Sequence, residues 1–390
     1  MHPLTIVVTA ILISRSQQLE QPTTRRLLID LINQNQTSWT AGENFPENVT
    51  TESLKRLNGA LGLHPDPNFQ LEVKHHKVAR KEIPQFFDAR EQWSECSDVI
   101  ATIRNQGRCG SCWAFASAET MADRLCIASG GKTKFQFSPQ DLLECCKQCV
   151  PQGYDKCDGG YLVYAYDFWL SDGIVSGGDY IINNYTGCKP YSYNAFEHGL
   201  GPTTCQQKCH SLYNTSYNDD KKFGKQVYQI GIDEAQIQTE IMTNGPVTAM
   251  YVVYEDFYYY KSGVYRHTIG NSTGNHAVKI VGWGTEAGLP YWLVANSWGT
   301  DWGDLNGFFK ILRGQNHCKI EESITAGKSS SAVYRAIPVC AAVMSDSSSV
   351  MAAGRRSKEY KSGASYPKSR SPKKPRSGVR EPSRGKYGFK

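Results

Sequence analysis

The sequence predicts an α+β fold with two lobes, in which a helical lobe is followed along the chain by a β-rich lobe. Helical apolar spacing follows Cys112 and recurs around Leu142. Further on, short β-branched and aromatic runs are separated by glycine, at residues 247–253, 276–282, 291–295 and 308–312. This change of pattern predicts a cleft between the lobes that holds the active groups.

The N-terminus has the features of a secretory signal. Residues 4–13 are apolar, a run too short for the roughly 18–20 residues that a membrane span needs. Small residues follow at Ser14 and Ser16, so residues 1–16 are predicted to be a signal peptide. Most of the thirteen cysteines lie between Cys96 and Cys209, which predicts the disulfide framework of an exported protein. We therefore expect a secretory-pathway protein, extracellular or lysosomal.

Five N-x-[ST] sequons are candidates for glycosylation in such a protein, although the motif is common by chance. They are Asn35, Asn48, Asn184, Asn214 and Asn271.

Residues 17–82 are polar and helical only in pieces, which predicts a pro-region ahead of a folded domain at residues 83–327. One short helix is expected to bury a single face made of Leu27, Leu28, Leu31 and Ile32. The basic stretch at residues 74–81 predicts an exposed, cleavable linker.

Charge is unevenly divided along the chain. Residues 328–390 carry 15 Lys and Arg against 3 Asp and Glu, whereas the whole chain has a net charge of +6. This tail is rich in Ser, Lys, Arg and Pro and is predicted to be disordered. It is either a solvated extension or a segment that docks on a polyanion such as a glycosaminoglycan, a mucin or an acidic membrane. A secreted protein is not expected to bind nucleic acid.

The strongest motif surrounds Cys112, in the run Gln-Gly-Arg-Cys-Gly-Ser-Cys-Trp that starts at Gln106. Gly107 and Gly110 predict a tight loop, after which the residues from Trp113 onward are typical of a buried helix. A cysteine at a helix N-terminus is favoured as the thiolate. The Gln106 side chain can donate a hydrogen bond to an oxyanion beside the Cys112 amide.

The Cys109-x-x-Cys112 spacing has two other interpretations. The same spacing occurs in thioredoxin-type redox pairs and in half of a zinc site. A thioredoxin-like chain is far shorter, and zinc requires reduced thiols that an exported chain does not keep. Both are therefore disfavoured, and no cofactor or metal is expected.

A base for Cys112 is found downstream at His276, which begins an apolar strand. A single histidine in that position is more often structural. Asn296, next to Trp298, offers an amide that could orient the imidazole, and the three residues together predict nucleophilic catalysis.

These motifs, with several others, resemble cathepsin B of the papain family over residues 83–327, and the similarity extends into the pro-region. The segments that carry it are Phe-Asp-Ala-Arg-Glu-Gln-Trp from Phe87, the Cys112 loop, Cys145-Cys146, Gly159-Gly160-Tyr161, Val-Ser-Gly-Gly from Val175, Lys-Ser-Gly-Val-Tyr from Lys261 and Tyr-Trp-Leu-Val-Ala-Asn-Ser-Trp from Tyr291. The resemblance implies a papain-like fold with a helical left lobe and a β-barrel-like right lobe.

The resemblance also implies an activity, that of a cysteine endopeptidase made as a zymogen. Cys112 would attack the peptide carbonyl, and His276 would protonate the leaving amine. Asn296 would hold His276 under Trp298, and Gln106 would complete the oxyanion hole. The backbone at Gly159 and Gly160 would pair with an extended substrate. The implied partners are protein and peptide substrates, the chain's own propeptide and cystatin-like inhibitors.

A disulfide pattern is implied in the same way. It consists of Cys96–Cys126, Cys109–Cys157, Cys145–Cys205, Cys146–Cys149 and Cys188–Cys209. Cys112, Cys318 and Cys340 remain unpaired.

The chain departs from cathepsin B at the occluding loop, which gives that enzyme its dipeptidyl carboxypeptidase activity. His198 is kept, but Gly199 stands at the second histidine, Phe196 replaces a cysteine that pins the loop, and Asn105 replaces an aspartate that tethers it. These losses predict weak exopeptidase action.

A second departure concerns the pocket for the residue before the cleaved one. Ser323 stands where the family has an acid that admits arginine, so an apolar or aromatic preference is expected, although Glu322 is adjacent. Leu305 is an extra residue beside the Trp298 shelf. A catalytically silent homologue is the alternative function, and the intact Cys112, His276 and Gln106 argue against it.

Overall fold

The computed structural model describes residues 25–62, 69, 71–181 and 185–330. The predicted signal peptide, most of the basic tail, Asn184 and Cys340 lie outside this part of the chain.

Helices account for most of the regular secondary structure in the first half of the domain. After a pro-region helix α1 over residues 25–35, the α-helices are α2 Thr51–Lys55, α3 Ala89–Gln92, α4 Ser97–Ile100, α5 Cys112–Ala128, α6 Pro139–Cys145, α7 Leu162–Ser171, α8 Tyr217–Asp220 and α9 Glu234–Asn244. Among the described residues no helix is long and apolar enough to cross a membrane.

Strands dominate the second half. They are β1 Trp39–Ala41, β2 Ala60–Leu61, β3 Val73–Lys74, β4 Phe87–Asp88, β5 Gly160–Tyr161, β6 Gly224–Ile230, β7 Val247–Tyr254, β8 Tyr260–Tyr265, β9 Ser272–Glu286, β10 Leu289–Ala295, β11 Phe308–Leu312 and β12 Ser323–Ser329. The four strands expected from sequence correspond to β7, β9, β10 and β11, and the two expected helices correspond to α5 and α6.

The large sheet is open, with the strand order β1-β8-β11-β10-β9-β7-β12-β6-β3 and with β4 pairing with β9. The α+β class is therefore confirmed, but the expected β-barrel-like lobe is not a closed barrel. Closure would require the two edges to pair with each other. Both edge strands, β1 and β3, come from the pro-region and pair only with β8 and β6 respectively.

Helix α5 connects the helical lobe to the sheet. Every residue from Cys112 to Cys126 is buried, which is typical of a helix surrounded by protein on all sides. The helix packs against α6 and α7 on one side and against β9 and β12 on the other. Its N-terminus is thereby held beside β9.

The pro-region helix α1 buries a different face from the one expected. Ile32 is fully buried and Leu28 packs against the core, but Leu27 is 57% exposed and Leu31 is 44% exposed. The apolar contact is continued by Trp39 on β1, which is buried against Tyr260 and Tyr265. Truncating such a buried tryptophan typically costs about 3–5 kcal/mol, so β1 is a strong anchor of the pro-region.

The basic linker is exposed only in part. Residues 79–82 are exposed, as expected of a cleavable segment. The part before them lies on the enzyme, because β3 extends the sheet and Lys74 and His76 both contact Glu240 of α9. The prediction of an exposed linker is therefore wrong for Lys74 and His76, which are partly buried. Nothing in the local sequence indicates their distant partner.

Five disulfides bind the helical lobe. They are Cys96–Cys126, Cys109–Cys157, Cys145–Cys205, Cys146–Cys149 and Cys188–Cys209, the same pairs that the resemblance implies. Two cysteines in the described part of the chain are unpaired, Cys112 and Cys318.

Candidate active site

Cys112 is the first residue of α5 and follows a tight loop. Gly107 in this loop has φ +61°, and a Cβ there would lie 2.3 Å from the Phe196 carbonyl oxygen, so only glycine fits without a shift. The Gly110 amide donates to the Cys157 carbonyl at 2.9 Å. The loop therefore aims the Cys112 side chain from a fixed backbone, as the sequence predicts.

His276 lies on β9, and the ring of Trp298 covers it with a centroid separation of 4.8 Å. Both Cys112 and His276 are fully buried. Because α5 packs on β9, the structure brings the predicted nucleophile and base to the junction of the two lobes.

Asn296, directly after β10, determines which nitrogen of His276 carries the proton. Its Oδ1 accepts from the Ser297 backbone amide at 2.8 Å, which identifies that atom as the oxygen. His276 Nε2 lies 2.8 Å from the same oxygen and must therefore be the protonated nitrogen. Nδ1 is left as the basic nitrogen, with no hydrogen-bond partner among the described residues.

Gln106 is also held rigidly. Its Oε1 accepts from the Ser297 hydroxyl at 2.7 Å, so its Nε2 must face the other way and donate. Nε2 donates to the carbonyl oxygens of Cys109, at 2.7 Å, and of Leu57, at 3.0 Å. Ser297 is a residue that the sequence reasoning missed, although it stands beside Asn296 in the motif that was recognised.

The pro-region occupies the space in front of these groups. The Leu57 carbonyl oxygen lies on the Gln106 amide, where a substrate carbonyl oxygen would be held. Gly59 accepts from the Gly160 amide at 2.8 Å, and β2 then runs parallel to β5, pairing Ala60 with Gly160. The glycine pair expected to bind substrate backbone is thus engaged by the pro-region. Leu57 and Gly59 carry no local sequence signal that would have identified them.

Burial under the pro-region keeps both reactive groups uncharged. Burial raises the pKa of Cys112 to about 11, despite hydrogen bonding from the backbone amides of Ala277 and Gly59. Burial also lowers the pKa of His276 to about 4, although Asn296 and the Leu57 backbone favour its charged form. The thiolate predicted from the helix N-terminus is therefore not the form in this covered state, because desolvation outweighs the helix dipole.

Alkylation with iodoacetamide should report this protonation state. At pH 8 the covered Cys112 has only about one thiolate in a thousand thiols, since the pKa of about 11 lies three units higher. We expect Cys112 of the intact chain to remain unmodified and to react at least about 100-fold faster after the pro-region is removed. Peptide mapping separates Cys112 from Cys318 and Cys340, and a urea-unfolded sample is the control. Equal rates before and after removal would contradict the assignment.

The segment expected to resemble an occluding loop forms a short π-helical turn at Asn194–His198. The Arg108 amide donates to the Phe196 carbonyl at 2.8 Å. Phe196 replaces a loop cysteine of cathepsin B, and its ring packs on Tyr180 instead of forming a disulfide. His198 is exposed, lines a cavity and has no ion pair among the described residues.

 The volume of this cavity is about 370 Å³, and it lies between His198 and Arg108 of the domain and residues 45–57 of the pro-region.

The residues near the predicted specificity pocket lie at the start of β12. Ser323 is half-buried and pairs with Met250 of β7. Glu322 is exposed, and its carboxylate forms an ion pair with Lys319 at 3.5 Å. This carboxylate is therefore paired with a surface lysine. The extra Leu305 begins a hydrogen-bonded turn closed by the Phe308 amide.

Comparison with known proteins identifies the family. Residues 83–328 match the family model for papain family cysteine protease, and residues 27–64 match that for the peptidase family C1 propeptide. The chain belongs to the papain family of cysteine proteases.

Within this family the chain is cathepsin B-like. It is 44% identical over 319 residues to a gut-specific cysteine proteinase of Caenorhabditis elegans, covering 80% of this chain and 93% of that protein. It is 42% identical over 320 residues to cathepsin B-like cysteine proteinase 4 of the same organism, covering 78% and 92%. Among solved structures it is similar to procathepsin B S9 of Trypanosoma congolense, with a TM-score of 0.67, 35% identity and coverage of 78% and 98%.

The chain is therefore a cathepsin B-like cysteine protease that carries its propeptide. The pro-region contacts described above belong to the segment that matches the propeptide model, with β3 and the linker following it.

Proposed function

We propose that this cathepsin B-like protease acts mainly as an endopeptidase through a Cys112 thiolate and His276 imidazolium pair and an acyl-enzyme. One observation carries the proposal: the Leu57 carbonyl of the pro-region accepts from Gln106 Nε2, the donor expected to hold an oxyanion. The pro-region thus imitates a bound peptide in front of a complete set of catalytic groups.

The proposed reaction starts when the pro-region leaves and water reaches the pair. His276 Nδ1 takes the Cys112 proton, and the thiolate attacks the peptide carbonyl carbon. The resulting oxyanion is held by Gln106 Nε2 and the Cys112 amide. His276 then gives its proton to the leaving amine, and a thioester remains on Cys112. Water, deprotonated by His276, attacks the thioester and releases the acid, which restores the thiol.

Each positioning contact has a defined part in this scheme. Asn296 accepts from Nε2 and so keeps Nδ1 free to receive the proton. Trp298 covers the ring and shields the hydrogen bond from water. The backbone of Gly159 and Gly160 would pair with the substrate residues before the cleaved bond. Gly160 has no room for a side chain, because a Cβ there would lie 2.5 Å from the Trp113 ring.

We further propose weak exopeptidase activity. A dipeptidyl carboxypeptidase must bind the C-terminal carboxylate, and here one of the two expected histidines is Gly199, with φ +60° in a left-handed position packed on the Arg108 carbonyl. His198 alone is left for that task, and Asn105 cannot form the ion pair that an aspartate would make with the loop.

The test compares two substrates of the processed enzyme. We expect kcat/KM for internal cleavage of an end-blocked peptide to exceed that for dipeptide release from a free C-terminus by at least about tenfold. Dipeptide release as efficient as internal cleavage in the unmodified enzyme would refute the endopeptidase proposal while leaving the protease assignment intact.

The substrate preference before the cleaved bond is proposed to be apolar or aromatic, because Ser323 carries no charge that would pair with arginine and Glu322 is engaged by Lys319. Profiling with a peptide library that varies this residue measures the preference directly. A dominant preference for arginine would contradict it.

The remaining proposals concern the cellular setting. The protein would enter the secretory pathway as a zymogen bound for the extracellular space or a lysosome. Acid-dependent loss of the pro-region would activate it, and cystatin-like proteins would inhibit the active enzyme. Four sequon asparagines in the described part of the chain are exposed and available for glycosylation: Asn35, Asn48, Asn214 and Asn271. Docking of the basic tail on a polyanion predicts that heparin retention falls when residues 350–390 are deleted.

A further inference from the structure

The segment between the propeptide and the protease domain adds a strand to one edge of the sheet. Strand β3 pairs in parallel with β6, placing Val73 opposite Gln229 and Lys74 opposite Ile230. The Gln229 amide donates to the Glu72 carbonyl at 2.9 Å. When this segment leaves, the hydrogen-bonding groups on that side of β6 become an unpaired edge, which can accept another extended peptide.

A buried carboxylate lies beside this edge. Glu240 of α9 is fully buried, and its Oε1 accepts from Arg124 at 2.8 Å and from the Tyr228 hydroxyl at 2.7 Å. Among the described residues, its Oε2 contacts only groups of the linker, Lys74 Nζ at 3.1 Å and His76 Nε2 at 2.6 Å. One oxygen is thus satisfied by the protease domain, and the other by the segment that docks there.

The backbone of the segment is recognised as well. The His76 amide donates to Gln236 Oε1 at 2.6 Å, and Gln236 Nε2 donates back to the His76 carbonyl at 3.0 Å. Lys74 also lies over the Tyr228 ring, with its ammonium 4.3 Å from the centroid. These contacts require an extended strand with a lysine and a histidine two residues apart.

The charge of the site persists in acid. Burial opposes ionisation of Glu240, but Arg124, His76 and Tyr228 hold its pKa well below the usual range. The groups that face this carboxylate come from α5, β6 and the linker: Arg124, the Tyr228 hydroxyl, Lys74 and His76. Acidification is therefore not expected to release this contact.

We propose that the edge of β6 together with Gln236 and Glu240 is a docking site for an extended basic peptide strand, separate from the catalytic cleft. Residues 72–76 occupy it in the uncleaved chain. After this segment is removed, the same site is free to bind another strand with the Lys-x-His pattern that residues 74–76 carry.

The test uses the full chain processed in acid, with its cleft then blocked by an epoxide thiol inhibitor, and a fluorescent peptide with the sequence of residues 69–79. We expect saturable binding by fluorescence anisotropy at both pH 5 and pH 7. A peptide with Lys74→Glu and His76→Ala should bind at least tenfold more weakly. No saturable binding, or equal binding of the two peptides, would overturn the proposal, and the blocked cleft excludes binding there.

Enzyme variants locate the site on the surface. Gln236→Ala is expected to weaken the peptide about tenfold, because two hydrogen bonds to the strand backbone are lost. Thr243→Ala, an exposed position on the same helix, is the matched control and should leave binding unchanged. Peptidase activity measured before blocking confirms that each variant is folded, and an unchanged affinity of Gln236→Ala would refute this location.

The uncleaved chain offers a second measurement that does not depend on processing. Lys74→Glu should raise amide hydrogen exchange of residues 72–76 at least tenfold while residues 39–41, at the opposite edge of the sheet, remain protected. Unchanged exchange at residues 72–76 would show that the carboxylate does not hold the strand.

Discussion

Replacing Cys112 with alanine is expected to lower kcat/KM of the processed protease by on the order of 10⁶-fold, the size of effect seen when a nucleophile is removed from a catalytic set. The variant keeps Gln106, Asn296 and His276 in place, but it has no sulfur to attack the carbonyl. Hydrolysis of a fluorogenic peptide by purified enzyme measures the loss. Processing of this variant requires an added protease, because it cannot cleave its own pro-region.

Cys318→Ala is the matched control, since Cys318 is the other unpaired cysteine in the described residues. Burial raises its pKa to about 12, so its thiol is unreactive near neutral pH. We expect this variant to retain activity within about threefold of the unmodified enzyme. Substantial activity in Cys112→Ala that is lost in Cys318→Ala would reverse the assignment of the nucleophile.

Substituting Gly59 is expected to abolish the latency of the zymogen. A Cβ at Gly59 would lie 1.7 Å from the Gly110 carbonyl oxygen, in the loop that precedes Cys112. The opposing atom belongs to the backbone, so the clash cannot be relieved by turning a side chain. Gly59→Val should therefore displace the pro-region from the cleft. We expect at least about 100-fold more activity from the uncleaved chain at neutral pH than the unmodified zymogen shows.

The control for this variant is Gly62→Ala, because a Cβ at Gly62 meets no atom within 4 Å. Its zymogen should remain latent. After acid processing all three proteins should have the same kcat/KM, since the substitutions lie in the removed pro-region. A Gly59→Val zymogen as silent as the unmodified one, with full activity after processing, would show that the Leu57–Gly59 contact does not maintain latency.

These expectations agree with the pattern of contacts between the pro-region and the domain. The pro-region pairs with the domain as β1 at one edge of the sheet, as β2 in the cleft and as β3 at the other edge. Only the cleft contact covers Cys112 and His276. Latency should therefore depend on residues 57–61, whereas the two edge strands keep the segment near the enzyme.

Much of the fold was predictable because its strongest elements have local signals. Strand β11 has the predicted bounds, and α5 begins at Cys112, where glycines precede a segment with helical apolar spacing. The face of α1 was wrong because Leu27 and Leu31 continue the apolar pattern but no partner covers them. Local spacing indicates a helix, but only its packing partner determines which side is buried.

By itself the sequence determined the candidate reactive groups, since a thiol, an imidazole and two amides are chemical identities carried by short motifs. The tertiary structure alone decided their state. Burial displaces the pKa values of Cys112 and His276 toward the neutral forms. Leu57 and Gly59, which contact this site, lie more than fifty residues earlier in the chain than Cys112. The tertiary structure also decided that the basic linker lies against Glu240, because burial and charge pairing between distant segments arise only when the chain has folded.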